Sequence, residues 1–154
     1  MIKSHNEWDT LKEVFVGVVD GAHNPKLGKD LHCINYADKD NLHGIQQGLY
    51  PQQVIEETQE DLENFVNQLE SFGIKVRRPK PQNQEEYFSS PHWDTNGYYN
   101  YCPRDSVLIV GDTIIESPMA LRSRYFETFC FKDDFINYMK DGARWISAPK
   151  PRLL

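Results

Sequence analysis

Val107-Leu108-Ile109-Val110-Gly111-Asp112-Thr113-Ile114-Ile115-Glu116 is the stretch whose reading decides the fold. Two four-residue, mostly apolar runs flank Gly111-Asp112, a two-residue connection favourable for a β-hairpin. Toward the C-terminus, the segment Ser123–Asp141 places Phe126, Phe129, Cys130, Ile136 and Met139 at its apolar positions and predicts a helix stopped by Gly142. Ala143-Arg144-Trp145-Ile146 then predicts a short strand, so the order is strand, strand, helix, strand. Toward the N-terminus the plan recurs. Leu11–Val19 alternates and then turns continuously apolar, as in a strand buried on both faces. Residues 20–50, with five glycines or prolines among many Asn, Asp and His, read as a long irregular connection. After Pro51, the residues Val54, Ile55, Thr58, Leu62, Phe65, Val66, Leu69 and Phe72 recur at helical spacing up to Gly73, and Ile74–Arg78 returns as a strand. Both halves end in a helix, a glycine and a short strand leading to prolines, the pattern of an internal structural repeat. Two such units leave sheet edges to be paired or covered, so the pattern predicts a further segment or a partner chain.

The 154 residues carry 17 Lys+Arg against 23 Asp+Glu, a net charge of −6, with 39% hydrophobic residues. That length suits one domain with a sizeable core. An acidic balance with scattered basic residues argues against nucleic-acid binding. No apolar run approaches the ~20 residues that cross a bilayer, and Met1–Asn6 lacks the apolar stretch of a signal peptide. The expectation is a cytoplasmic protein, or the mature part of an organellar one, without a membrane association. Cys33, Cys102 and Cys130 are odd in number and widely spaced, which predicts reduced thiols and no CxxC metal knuckle.

The densest cluster of unusual residues is Ser90–Asp105, ending just before the apolar strand that starts at Val107. Asp105 therefore lies at a strand mouth. Its carboxylate either receives a planar guanidinium through paired charge-assisted hydrogen bonds or caps a turn and pairs with Arg104 or another arginine. Arg122 and Arg124 likewise either meet an anionic ligand or tie their loop to Glu116, Glu127 or the acidic helix. Cys102 is a nucleophile only if a neighbour generates its thiolate, and a small buried hydrophobe otherwise. His92 with Asp94, and His32 with Cys33, lack metal-site spacing, and no glycine-rich phosphate loop follows a strand.

Asn6-Glu7-Trp8-Asp9, Val76-Arg77-Arg78-Pro79, Pro103-Arg104-Asp105, the run Val110–Glu127 and the run Gly142–Pro151 occur in the order seen in glycine amidinotransferases. The sequence resembles the N-terminal part of that family from end to end, most specifically over Ile114–Glu127. The resemblance implies an α/β fold, a partial pentein-type α/β-propeller with about two of the family's five ββαβ modules, approximately 1–82 and 83–154 of a single N-terminal segment. It implies transfer of an amidino group from L-arginine to an amine such as glycine through a cysteine intermediate, without an external cofactor or metal. Asp105 matches the family's guanidinium-holding aspartate. The family's catalytic cysteine, histidine and orienting aspartate lie downstream of the match, and Cys102 and Cys130 do not correspond to the nucleophile. No catalytic residue is therefore assigned, and the chain alone is expected to be inactive. The partners implied are L-arginine or another guanidino compound, and a second copy or a C-terminal partner chain. A noncatalytic interaction module, or a vestigial binding module, is the alternative.

Overall fold

The computed structural model describes residues 2–154. In chain order the elements are β1 (Glu13–Phe15), β2 (His23–Asn24), α1 (Lys29–Asn35), β3 (Gly48–Leu49), α2 (Gln52–Ser71), β4 (Lys75–Arg77), β5 (Tyr87–Ser89), β6 (Asp94–Asn96), α3 (Pro103–Ser106), β7 (Val107–Val110), β8 (Thr113–Glu116), α4 (Lys132–Lys140) and β9 (Arg144–Ser147). Short 3₁₀ turns at Arg122–Arg124 and Glu127–Phe131 precede α4.

The hairpin forms as its sequence dictates: β7 and β8 pair antiparallel from Val107↔Glu116 to Val110↔Thr113, with Gly111 at φ +60° in the turn. β9 adds parallel to β8, so Ile109, Ile114 and Trp145 share one row, and Leu108, Ile115 and Ile146 the next. Strand periodicity sends these rows to opposite faces. The first row packs beneath α4, where fully buried Ile114 meets Phe131, Phe135 and Tyr138. The inward stripe of this segment differs from the one its apolar residues predict: Phe129, Ile136 and Met139 are exposed, and Phe131, Phe135 and Tyr138 are buried. The cause is the 3₁₀ geometry before α4, which turns every three residues rather than 3.6 and shifts the phase of the stripe. The buried set is spaced i, i+4, i+7, one face of α4 and its N-terminal flank.

In the first half, β1 pairs parallel with β4, and α2 covers them through Ile55, Leu62, Val66 and Leu69 against Val14, Val16, Val19 and Val76. β1 is shorter than the apolar run 11–19 suggests. At Gly17 the backbone passes so close to Tyr101 that a Cβ would lie 2.0 Å from its carbonyl oxygen, and Val18 donates instead to Asn100 O at 3.0 Å. The run leaves its strand to run beside Asn100, still buried. The predicted irregular connection contains the β2–β3 pair and α1, whose Leu31 packs against Tyr98 and Leu121. Among the described residues no helix is long and apolar enough to cross a membrane.

The halves join through Phe15 and Phe131, whose rings meet edge to face at 5.2 Å. Beside them Glu13 on β1 accepts from Arg77 Nε at 2.6 Å, Lys75 Nζ at 3.0 Å and the Tyr138 hydroxyl, while Arg77 Nη1 reaches Asp134 at 2.8 Å. Burial is the largest single influence on Glu13 and works to raise its pKa, but the donors from Tyr138, Lys75 and Arg77 together outweigh it and hold the carboxyl at about 2. A carboxyl depressed below its unfolded value stabilises the fold above that value and loses the contribution as pH falls through the folded one. Discounted for partial solvent screening, Glu13→Gln should cost about 1–2 kcal/mol at neutral pH. In thermal melts the gap between wild type and variant should close as pH drops from 4.5 toward about 2.

Candidate functional site

Pro103 opens α3 with its fixed backbone angle, and the single turn closes through Asp105 N–H to Cys102 O at 3.1 Å. Ser106, fully buried, anchors the end of this turn by donating to Pro103 O at 3.1 Å and accepting at its carbonyl from Ser117 N–H at 2.9 Å. Asp105 is thereby fixed at the mouth of β7 with its side chain 32% exposed. Its Oδ2 accepts from Arg124 Nη1 at 3.0 Å. Its Oδ1 lies 3.4 Å from Nε of Arg104, a side chain almost wholly in solvent.

Arg124 is only 7% exposed and Glu127 only 3%. Three residues apart across the 3₁₀ turns, they form a fork: Arg124 Nη2 donates to Glu127 Oε1 at 2.8 Å and Nε donates to Oε2. The guanidinium also lies over the Tyr99 ring, 5.0 Å from its centroid. Burial disfavours the Arg124 charge, yet Glu127, Tyr99 and Asp105 more than offset it, and the net shift is upward. Arg124 thus stays charged. Two carboxylates share this one buried guanidinium, Glu127 taking its Nε and Nη2 edge and Asp105, the solvent-facing member, its Nη1, while burial pushes the Glu127 carboxyl up against the pull of Arg124. A cavity of about 340 Å³ borders Tyr99, Ser123, Phe126 and Glu127 but not Asp105.

Of the alternatives the sequence leaves open, Asp105 pairs with Arg124 while keeping free acceptor positions, and Arg124 ties to Glu127. Arg122 does not join them. Its backbone N–H donates to Asp30 at 2.8 Å, its Nε donates to Leu153 O at 2.9 Å, and its guanidinium lies near the Trp93 ring. Glu116 serves the sheet instead, accepting from Trp145 Nε1 at 2.8 Å and Ser147 Oγ at 2.7 Å. Tyr99 is the member that residue-by-residue reading misses, because nothing in the run Tyr98-Tyr99 marks which ring will meet an arginine.

Cys102 sits half-buried beside this cluster, and its thiol is pushed up by burial and by the Asp105 charge, the wrong direction for a nucleophile. Cys130 is buried and pushed up further, again chiefly by burial. Asp94 is taken by Lys26 at 2.5 Å, and His32 Nε2 pairs with Lys39 O at 2.8 Å. Among the described residues no three metal-ligating side chains converge.

A small α/β assembly with a guanidinium-compatible carboxylate at a strand mouth is thus what the fold and the site define. No family model matches the chain. It is 45% identical over 154 residues to inosamine-phosphate amidinotransferase 1 of Streptomyces griseus, an alignment that covers 99% of this chain and 44% of that protein. It is 42% identical over 151 residues to the L-arginine:L-lysine amidinotransferase of Pseudomonas savastanoi pv. phaseolicola, covering 97% of this chain and 42% of that one. The solved inosamine-phosphate amidinotransferase of Streptomyces griseus superposes with a TM-score of 0.95 at 44% identity, over 99% of this chain and 44% of that structure. The homologues of this chain are amidinotransferases, glycine amidinotransferases among them, and its match in extent accords with the N-terminal part of that family. The chain spans about 44% of the length of these Streptomyces griseus relatives. Its fold is accordingly the pentein type in part, a set of small sheets without a closed barrel among the described residues.

Proposed function

We propose that the chain supplies the arginine-holding part of a cytoplasmic amidinotransferase, with Asp105 as the carboxylate that receives the substrate guanidinium. The observation that carries this reading is the state of Asp105: it already accepts one guanidinium N–H, from Arg124, and keeps unfilled lone pairs at the solvent-facing mouth of β7. An ionised carboxylate offers about four acceptor positions, and Arg124 and Arg104 leave room for a third planar cation. L-arginine, which the name of the Pseudomonas savastanoi relative includes, is the donor we assign.

In the reaction proposed, a thiolate attacks the amidino carbon of arginine, the bond to the side-chain nitrogen breaks, and that nitrogen leaves as ornithine after taking a proton. The acceptor amine then attacks the amidino-cysteine, loses a proton and restores the thiolate. Asp105 holds the guanidinium through these steps by charge and hydrogen bonding. Neither Cys102 nor Cys130 suits the attacking role, since both thiols are shifted upward. The nucleophile and its proton-transfer partners belong to the residues with which relatives extend beyond the matched length. We divide the present chain into modules at about 1–82 and 83–154, and assign it no cofactor.

Joining or adding the downstream modules should create ornithine release from L-arginine plus an amine. Release of citrulline without any acceptor would replace this reading with a hydrolase. In that completed enzyme, Asp105→Asn keeps the shape and removes the charge, and should weaken arginine handling by ~1.5–3 kcal/mol, the scale of a hydrogen bond to a charged group. The thermal melt should move much less. Unchanged kinetics beside a large fall in melting temperature would make Asp105 structural.

A noncatalytic module that self-associates is the second reading, and the outer face of the β7–β8–β9 sheet favours it. Leu108, Val110 and Ile146 are more than half exposed there, on one face. Light scattering after size exclusion should then report dimers or larger species that Leu108→Lys disperses. A wild-type monomer at high concentration would count against it.

A further inference from the structure

Asp105 is held from behind as well as exposed in front. Arg124, which binds its Oδ2, is itself fixed by both oxygens of Glu127 and by the Tyr99 ring. Charges this deeply buried are costly, and well-packed apolar residues of similar volume often stabilise as much or more. Stability alone is therefore a weak reason for an arginine and a glutamate at these positions. Their geometry supplies a better one. The Nε and Nη2 edge of the guanidinium faces Glu127 and leaves Nη1 for Asp105, a division that a planar fork permits and a lysine ammonium does not.

We propose that Arg124 and Glu127 are positioning residues for amidino transfer: the fork locks the rotamer of Asp105, and Glu127 absorbs the Arg124 charge so that Asp105 still presents a net negative charge to the substrate. The proposal rests on the reading of Asp105 as the guanidinium holder. The two residues do different work within it. Without the fork, Asp105 is free to turn between staggered rotamers, and a guanidinium meets it in one orientation only part of the time. Without the Glu127 charge, Asp105 stays in place but is neutralised by Arg124, which then competes with substrate for the same carboxylate.

The test pairs a rotamer measurement with kinetics. Three-bond couplings from Asp105 Cγ to its backbone nitrogen and carbonyl carbon, measured by NMR on the 154-residue chain, report its side-chain rotamer. Turnover of L-arginine is measured in the enzyme completed with downstream modules. Wild type should show a single Asp105 rotamer. Arg124→Met combined with Glu127→Leu removes both buried charges together; it should average the couplings over several rotamers and lower kcat/KM for arginine about a hundredfold. Glu127→Gln should keep the single rotamer yet lower kcat/KM about fivefold, mostly through KM. If the double variant does not fold, Arg124→Lys is read in its place, with the same averaging expected. A single rotamer retained in the double variant, or in Arg124→Lys where that stands in, overturns the proposal, as does averaging with unchanged kcat/KM. A completed enzyme that turns over arginine normally with Asp105→Asn overturns the underlying reading of Asp105 instead, whatever the rotamer does.

Discussion

A guanidinium withdrawn from water must find its partners within the fold, and the arrangement around Arg124 follows from that requirement. Its partners come from three separate stretches: Asp105 from α3, Glu127 from the 3₁₀ turns, and Tyr99 from the segment after β6. Each stretch is in turn fixed by its own bonds. Asn100, next to Tyr99 and almost fully buried, bridges Gln82 and Gln84 through its side-chain amide at 2.8 Å each and accepts Val18 N–H at its carbonyl. Close approach at Gly97, where a Cβ would lie 2.0 Å from Gln84 Oε1, keeps this segment pressed against its neighbour. A change at Arg124 therefore reaches the carboxylate that faces solvent and the backbone that carries the site.

The two cores stand behind this cluster without contributing to its chemistry. One is built on β7–β8–β9 and α4, the other on β1, β4 and α2, and the Phe15–Phe131 contact together with the Glu13, Arg77, Tyr138 and Asp134 network binds them. Packed interiors transmit displacement instead of absorbing it. The rigid hairpin next to α3 thus sets where Asp105 stands, and the interaction with Arg124 sets which way it faces.

Local chemistry made some of this legible. The hairpin at 107–116 was readable to the residue, because a glycine turn and two apolar runs act within ten residues. The helix over Gln52–Ser71 was equally clear, since its apolar spacing is long enough to average over exposed exceptions such as Phe65 and Phe72. The segment 123–141 was harder. Phe129, Cys130 and Phe131 are contiguous, and the face they choose depends on a 3₁₀ turn that the pattern does not announce. The β2–β3 pair and α1 are stabilised by contacts across the molecule, such as Leu31 against Leu121, which no window within residues 20–50 contains. At the site, Arg124 with Glu127 was readable as a neighbouring pair, and Asp105 as a carboxylate at a strand mouth. Their union with Tyr99 was not, because Tyr99 and Asp105 meet a guanidinium 25 and 19 positions further along the chain with no shared periodicity.

A crystal structure of the protein with L-arginine tests the central claim most directly. The account predicts a guanidinium with N–H groups about 2.7–2.9 Å from the Asp105 carboxylate, the distance of a charge-assisted hydrogen bond, with the Arg124–Glu127 fork unbroken behind it. Arginine seated away from Asp105, or seated there only after Arg124 has left the carboxylate, would contradict it.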